Sequence, residues 1–411
     1  MEKYREWADH ATGINPFVPI KPKRTTLPFF TKLALWFSYL VGPILFILRI
    51  PFFCFLIPIS FLRRPLEIYH SAVGCRLFLF LCGFFWIGSD KKSSPESSWN
   101  RSPRSGDIIL SNHCSYLDIF YYSFRYAPTF AFPCPGNTDQ VVKASLFGAL
   151  GMSLFGRLPR RKSTLPQLLE ASRRSRGGPV VYFAEGTTSN GRALLCFAAP
   201  LDRIFPDSFE APPAAAPAGH SSARSLMSLD EELPAARGRP ERQEALIFPV
   251  TLEYRYAFFA PTFPVGSPLG HFARLNGQVY NRLVVHRLAP LSPARPAVTL
   301  LAEPSADPNA ATPAAHLTKW TRDLFSSSTP GTGALGGRPA GPSFRTRAEV
   351  VSGLRHMMAA SVGVRPTQSL DMAAKAAFCR YWAGTHVGRA YQAQAQAVRA
   401  SVAAASQEHD Q

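Results

Sequence analysis

Residues 107–124, DIILSNHCSYLDIFYYSF, change texture twice in eighteen positions. Asp107-Ile108-Ile109-Leu110 reads as a short strand whose unbroken apolar part, Ile108-Ile109-Leu110, is of the kind buried on both faces. Ser111 to Ser115 are polar and turn-forming, and from Asp118 to Phe124 the apolar residues take helical spacing. Ser115 followed three residues later by Asp118 has the spacing of a capping box, so a helix is expected to start at Ser115. Downstream, Gly178–Phe183 (GPVVYF) and Ala245–Val250 (ALIFPV) have the same strand character, and Thr164–Arg174 reads as a helix. Strands alternating with helices define an α/β domain.

Upstream of this domain the chain is built differently. Residues 1–28 are polar and hold Pro16, Pro19 and Pro22. No secretory signal is expected, because the apolar run starts too late and lacks a small-residue cleavage site. Residues 29–88 are dominated by apolar stretches. Leu33 to Leu62 is almost wholly apolar, interrupted by Arg49 and by Pro43, Pro51 and Pro58. Pro51 removes a helical donor and restricts the residue before it, so Arg49-Ile50-Pro51 is expected to break the run. The two limbs, at about 1.5 Å per residue, each fall short of the roughly 30 Å hydrocarbon core. Lys21, Lys23, Arg24 and Lys32 precede the run and Arg63 and Arg64 follow it, which places both ends on one side of a membrane. A re-entrant membrane-anchoring hairpin is the expectation, with one kinked spanning helix as the alternative. Leu77–Gly88 is too short to span, and is expected to lie in the interface or cap the core.

A Ser/Lys/Pro-rich joint leads into the α/β domain, taken as residues 100–300. Two stretches rich in Pro, Ala, Gly and Ser, about 206–244 and 302–345, read as insertion and linker that bury little apolar surface. The tail 346–411 is Ala-rich and expected to be helical, anchored by Cys379-Arg380-Tyr381-Trp382.

The chain of 411 residues carries 45 Lys plus Arg against 27 Asp plus Glu, a net +18. That excess calls for an anionic partner. The basic residues are not interleaved with aromatics in any nucleic-acid module, so nucleic acid is not expected and a membrane lipid surface is. Seven cysteines at scattered spacings, with no Cys-x-x-Cys pair, fit neither a disulfide framework nor a zinc site. Neither metal nor cofactor is expected.

Three clusters carry chemistry. In the first, His113 sits in the loop and Asp118 in the first turn of the helix, so the carboxylate can reach back to the imidazole. A carboxylate on one ring nitrogen fixes the tautomer and frees the other as a general base. The competing view is a capping Asp beside an unrelated loop His. The second is Phe183-Ala184-Glu185-Gly186-Thr187-Thr188-Ser189-Asn190 at a strand end, a turn whose amides can cradle an anion. An ordinary strand-end turn is its alternative. The third is Gly156 to Lys162 with Arg173, Arg174 and Arg176, suited to phosphate or to a solvated basic face.

Taken in order, these clusters resemble the PlsC-type glycerolipid acyltransferases, whose hallmark is Asn-His-x-x-x-x-Asp, a Gly…Arg block, Phe-Pro-Glu-Gly-Thr-Arg-Ser, and an apolar block with Pro. Asn112-His113 with Asp118, Gly156 with Arg160, Glu185-Gly186-Thr187 with Ser189, and Pro249-Val250 stand here in that sequence. The likeness is greatest to the fungal lysophosphatidic acid:oleoyl-CoA acyltransferases. It implies a mixed β-sheet flanked by helices, with acyl-CoA and a lysophospholipid as co-substrates. His113 and Asp118 would be catalytic; Arg160, Glu185, Gly186, Thr187 and Ser189 would bind substrate, and amides near Gly156–Arg160 would stabilise the oxyanion. It also implies an endoplasmic-reticulum membrane or lipid-droplet location with the catalytic domain facing the cytosol. Ala184 stands where the family has Pro and Thr188 where it has Arg. Lysophosphatidic acid is the expected acceptor, with a choline- or inositol-headed lysophospholipid as the alternative. Two rival classes are a silent membrane-docking protein, disfavoured by the intact His113/Asp118 pair, and a lipid hydrolase, disfavoured because no Gly-x-Ser-x-Gly elbow occurs.

Overall fold

The computed structural model describes residues 2–20, 29–61, 67–89, 99, 101–135, 137, 139–156, 162–175, 177–206, 245–256, 259–293 and 346–384. The stretch 207–244 and the stretch 294–345, which hold the expected insertion and linker, lie outside them, as do Arg157 to Arg161 and residues 385–411.

Among the described residues eight strands form one mixed sheet. In chain order they are β1 (Ile87–Ser89), β2 (Ile108–Ser111), β3 (Thr129–Pro133), β4 (Gln140–Ala144), β5 (Lys162–Thr164), β6 (Val180–Phe183), β8 (Ile247–Arg255) and β9 (Arg282–Arg287). Their spatial order is β1-β9-β8-β2-β6-β3-β4-β5, while β7 (Ala193–Leu194) pairs with β10 (Arg365–Pro366) apart from it. β2 lies parallel between β6 and β8, with Ile108 level with Val180 and Ile247. β3 also runs parallel to β6, and the edges turn antiparallel through β3–β4, β4–β5 and β8–β9.

Strand alternation divides the core in two. Ile109, Val181, Phe183, Phe248 and Val250 face one layer, which holds α2 (Glu67–Leu81), α3 (Leu117–Tyr126) and α4 (Leu146–Phe155). Ile108, Leu110, Val180, Tyr182 and Ile247 face the other, covered by α5 (Leu165–Ser175) and α7 (Arg347–Ser361). Because helices cover both faces, the central strands read as continuous apolar runs. The expected strands and helices are therefore present, with β8 running on to Arg255 beyond the expected Val250.

The N-terminal region requires a correction. The run does not break at Arg49-Ile50-Pro51: α1 is continuous from Phe29 to Phe61. Pro51, which suggested the break, deletes a single backbone donor, and the neighbouring Arg49 has a structural use. Arg49 Nη1 donates to the carbonyls of Asn276 (2.7 Å) and Gln278 (3.0 Å). These lie at the C-terminal end of α6 (Pro268–Asn276), where a cation is favoured. α1 also crosses α6 backbone to backbone: a Cβ on Gly42 would come within 2.9 Å of Gly277 O. Among the described residues no helix is long and apolar enough to cross a membrane. The segment Leu77–Gly88 ends α2 and enters β1, burying Leu79, Cys82 and Phe84.

The N-terminal segment meets the last described helix. Phe17 and Trp7 pack with Phe378 of α8 (Met372–Gly384), and Asp9 Oδ1 accepts from Gln368 N. The fully buried Phe378 anchors this helix, while Tyr381 is exposed.

Candidate active site

In an open α/β sheet, ligands collect beyond the carboxyl ends of the parallel strands. Here β2 ends at Ser111 and β6 at Phe183, so the His113 loop and the Glu185 loop leave the sheet side by side.

The His113 loop is held from several sides. Asn112 continues the β2–β8 ladder with its side chain: Oδ1 accepts from Leu252 N (2.8 Å) and Nδ2 donates to Leu252 O (3.0 Å). His113 O accepts from Ser189 N, and Cys114 O accepts from Phe263 N. Ser115 Oγ donates to Pro261 O and accepts from Leu117 N (3.4 Å), while Asp118 N donates to the Ser115 carbonyl, so a full capping box does not form and the helix starts at Leu117. The other half of that box forms, because Ser115 N donates to Asp118 Oδ2 (2.9 Å).

His113 Nδ1 lies 2.9 Å from Asp118 Oδ2, with the two residues 1% and 0% exposed. Asp118 also accepts from Cys114 N (2.7 Å) and from Tyr254 Oη at 2.5 Å. Every other partner of this carboxylate donates to it, so the imidazole meets Asp118 as an N–H donor and carries its proton on Nδ1. Nε2 then carries the lone pair and accepts from Ser153 Oγ at 2.8 Å. The ring lies over Phe183 at 4.3 Å between centroids, which fixes its plane. The thiol of Cys114 is buried; burial, with the nearby charges of Asp118 and Glu185, raises it well above the usual range and leaves it a filler rather than a nucleophile.

Glu185 is 1% exposed and has both oxygens occupied: Oε1 accepts from His113 N (3.1 Å) and Oε2 from Leu195 N (3.3 Å). In this structure it grips the His113 backbone instead of an acceptor. Burial pushes its carboxyl up to about 8. Gly186 has φ +66°, and a Cβ there would come within 2.8 Å of Pro133 and 2.9 Å of Met372. Ser189 is buried and ties the two loops through its amide, and Thr188 is buried too; Thr187 is the half-exposed member of this turn. Arg160 lies outside the described residues. The Gly156 amide donates to Met152 O, closing α4, so it is not presented to an oxyanion. Arg173 and Arg174 pair with Glu170, and Arg173 packs on Gly106 at the start of β2. That is the far end of the strand from His113, about 20 Å of extended chain away.

Three residues of the site were not expected from the sequence. Tyr254 had a signal: Phe248, Val250, Leu252 and Tyr254 alternate on the His113 side of β8. Ser153 had none, being a small polar residue inside an apolar helix. Lys375 had no signal beyond being a cation among the alanines of α8. It is buried, donating from Nζ to the carbonyls of Thr188 (2.8 Å) and Pro264.

Comparison with known proteins places the chain in a family. A Schizosaccharomyces pombe protein, provisionally named a lysophosphatidic acid:oleoyl-CoA acyltransferase, is 34% identical over 226 residues, 50% of this chain and 72% of the yeast protein. The chain belongs to the lysophospholipid acyltransferase family. Two Arabidopsis thaliana lysophospholipid acyltransferases are 27% and 24% identical, over 33% and 31% of this chain and 40% and 22% of their own lengths. No family model matches the chain, and no solved structure matches it.

Proposed function

We propose that this acyltransferase moves a fatty acyl group from coenzyme A to the free hydroxyl of a lysophospholipid, with lysophosphatidic acid as the first-choice acceptor. The observation that carries the reading is the buried His113, fixed by Asp118 on one nitrogen and meeting a hydroxyl at 2.8 Å on the other. That is the distance at which a general base takes a proton. The acceptor hydroxyl gives its proton to Nε2 and attacks the thioester carbonyl. Asp118 stabilises the imidazolium, and the C–S bond then breaks with the proton passing to sulfur. Glu185, Gly186 and Ser189 support this step by holding the His113 loop, and Thr187 faces the acceptor. Arg160 supplies charge for the acceptor phosphate.

The membrane side of the proposal rests on α1. Its Trp36, Phe37, Leu40, Ile44 and Ile47 are exposed, Trp36 by 74%. An apolar stripe of this size on a basic protein suits a lipid leaflet, here the cytosolic face of the endoplasmic reticulum or of a lipid droplet. The deciding experiment gives the purified chain in detergent labelled oleoyl-CoA and a panel of lysolipids. Phosphatidic acid as the main product supports the reading, a choline- or inositol-headed product moves the acceptor, and free oleate alone overturns transfer in favour of hydrolysis.

A further inference from the structure

His113 is buried to 1% exposure, and the group that meets its basic nitrogen is the hydroxyl of the half-buried Ser153. With Asp118 behind the imidazole, the atoms stand in the order Ser–His–Asp. That order by itself describes a nucleophile, and two features argue against one here. Ser153 lies inside α4, with no strand-to-helix elbow to expose it, and the Gly156 amide one turn on is used within the helix. That amide is therefore not free to stabilise the oxyanion of an acyl-serine.

A different role fits. A serine within a helix has a second partner in reach, the carbonyl one turn back, here that of Ala149. Its hydroxyl can therefore leave His113 by turning about one bond without losing its hydrogen bond. The helix that carries it seats Leu146, Leu150, Met152 and Leu154 only partly in the core; Ala149 is its one fully buried member, and Phe147 and Phe155 are each 55% exposed.

We propose that Ser153 is a gate on the general base, which occupies His113 Nε2 until the acceptor hydroxyl displaces it. This deepens the function proposed above and rests on it. No covalent bond to Ser153 forms. What the gate prevents is the side reaction in which water gives its proton to Nε2 and attacks the thioester carbonyl. The C–S bond would then break, and His113 would return the proton to sulfur, wasting acyl-CoA as fatty acid and free thiol.

The test uses the full chain in detergent, with thiol release from oleoyl-CoA read without acceptor and product formation read across lysophosphatidic acid concentrations. In Ser153→Ala, hydrolysis without acceptor should rise, and the KM for acceptor should fall, each by about 2- to 10-fold, the worth of one ordinary hydrogen bond. Ser153→Thr, which keeps the hydroxyl, should restore both. If Ser153→Ala melts early, Ser153→Cys, a near-isostere with a weak donor, should shift both in the same direction by less. Unchanged hydrolysis and KM overturn the gate. So does loss of transfer, whether intact-mass analysis finds an acyl adduct on Ser153 in the native chain, meaning a nucleophile, or finds none, meaning a proton relay. A native chain that hydrolyses but never transfers defeats the functional reading, while the effect of Ser153→Ala on hydrolysis still decides the gate.

Discussion

At the scale of single residues, the site depends on the hydrogen bonds around one carboxylate. His113→Ala should reduce transfer to background in a chain that still folds. Asp118→Asn offers an amide where a carboxylate orients the imidazole, and the resulting wrong tautomer should lower kcat by about three to four orders of magnitude. Normal turnover by either variant would remove both from the mechanism. Tyr254→Phe takes away one donor to Asp118 and should lower kcat by about 10- to 100-fold, as expected for a bond to a charged group, with little change in the KM for acyl-CoA. Glu185 yields a pH prediction. Its folded carboxyl is raised to about 8, against about 4.3 in the unfolded chain. Between those values the folded state keeps a proton that the unfolded state releases, so this group's contribution to stability declines as pH rises from about 4 to 8. Glu185→Gln, a neutral mimic, should flatten the pH dependence of Tm in that window, and an unaltered slope would show that another group sets it.

At the scale of elements, α1 is attached by Arg49 and presents its apolar residues outward. Arg49→Ala leaves the carbonyls at the end of α6 without their cation and should cost about 1.5–3 kcal/mol, read as a lower Tm in detergent. Leu40→Asp with Ile44→Asp should leave that docking intact and abolish flotation with phospholipid vesicles, since two charges would enter the leaflet. Retained flotation would move membrane contact to another surface. Lys375 links α8 to the turn after β6 from behind. Thr188, the residue that departs from the family pattern, is buried and shows Lys375 its carbonyl. Thr188→Arg would bring a second cation towards that ammonium and should destabilise the fold rather than sharpen acceptor choice.

At the scale of the whole molecule, the tail closes the domain. Val350, Leu354 and Met358 of α7 are wholly buried against the sheet, and Phe378 and Lys375 of α8 pack on the N-terminal segment and the β6 turn. A chain ending at residue 345 should therefore lose its cooperative melt as well as its activity. A truncated chain that folds and transfers acyl groups normally would show that these contacts are dispensable. Asn190 makes the same point from the other end, because its side chain donates to the carbonyls of Asn15 and Val18 (each 2.9 Å).

What the sequence determined was local. The apolar runs at 108–110, 180–183 and 247–250 became central strands because a strand covered on both faces has no polar positions to disguise it. The short spacing from His113 to Asp118 let a loop and a first helical turn close on themselves, so that pair was legible before any fold was known. The rest needed contacts between distant segments. Tyr254 reaches Asp118 across 136 positions, Lys375 reaches Thr188 across 187, and Arg49 reaches Asn276 across 227. Pro51 looked like a helix break because its missing donor is local, whereas the carbonyls that hold Arg49 and seat the helix lie at least 227 positions away. Ser153 left no trace, since a serine in an apolar helix acquires meaning only from the imidazole packed against it. Glu185 carried the family signature, but whether its oxygens meet a ligand or the backbone depends on which amides the neighbouring strand ends bring within reach. That is set by the register of β2 against β6, which the tertiary structure alone decides.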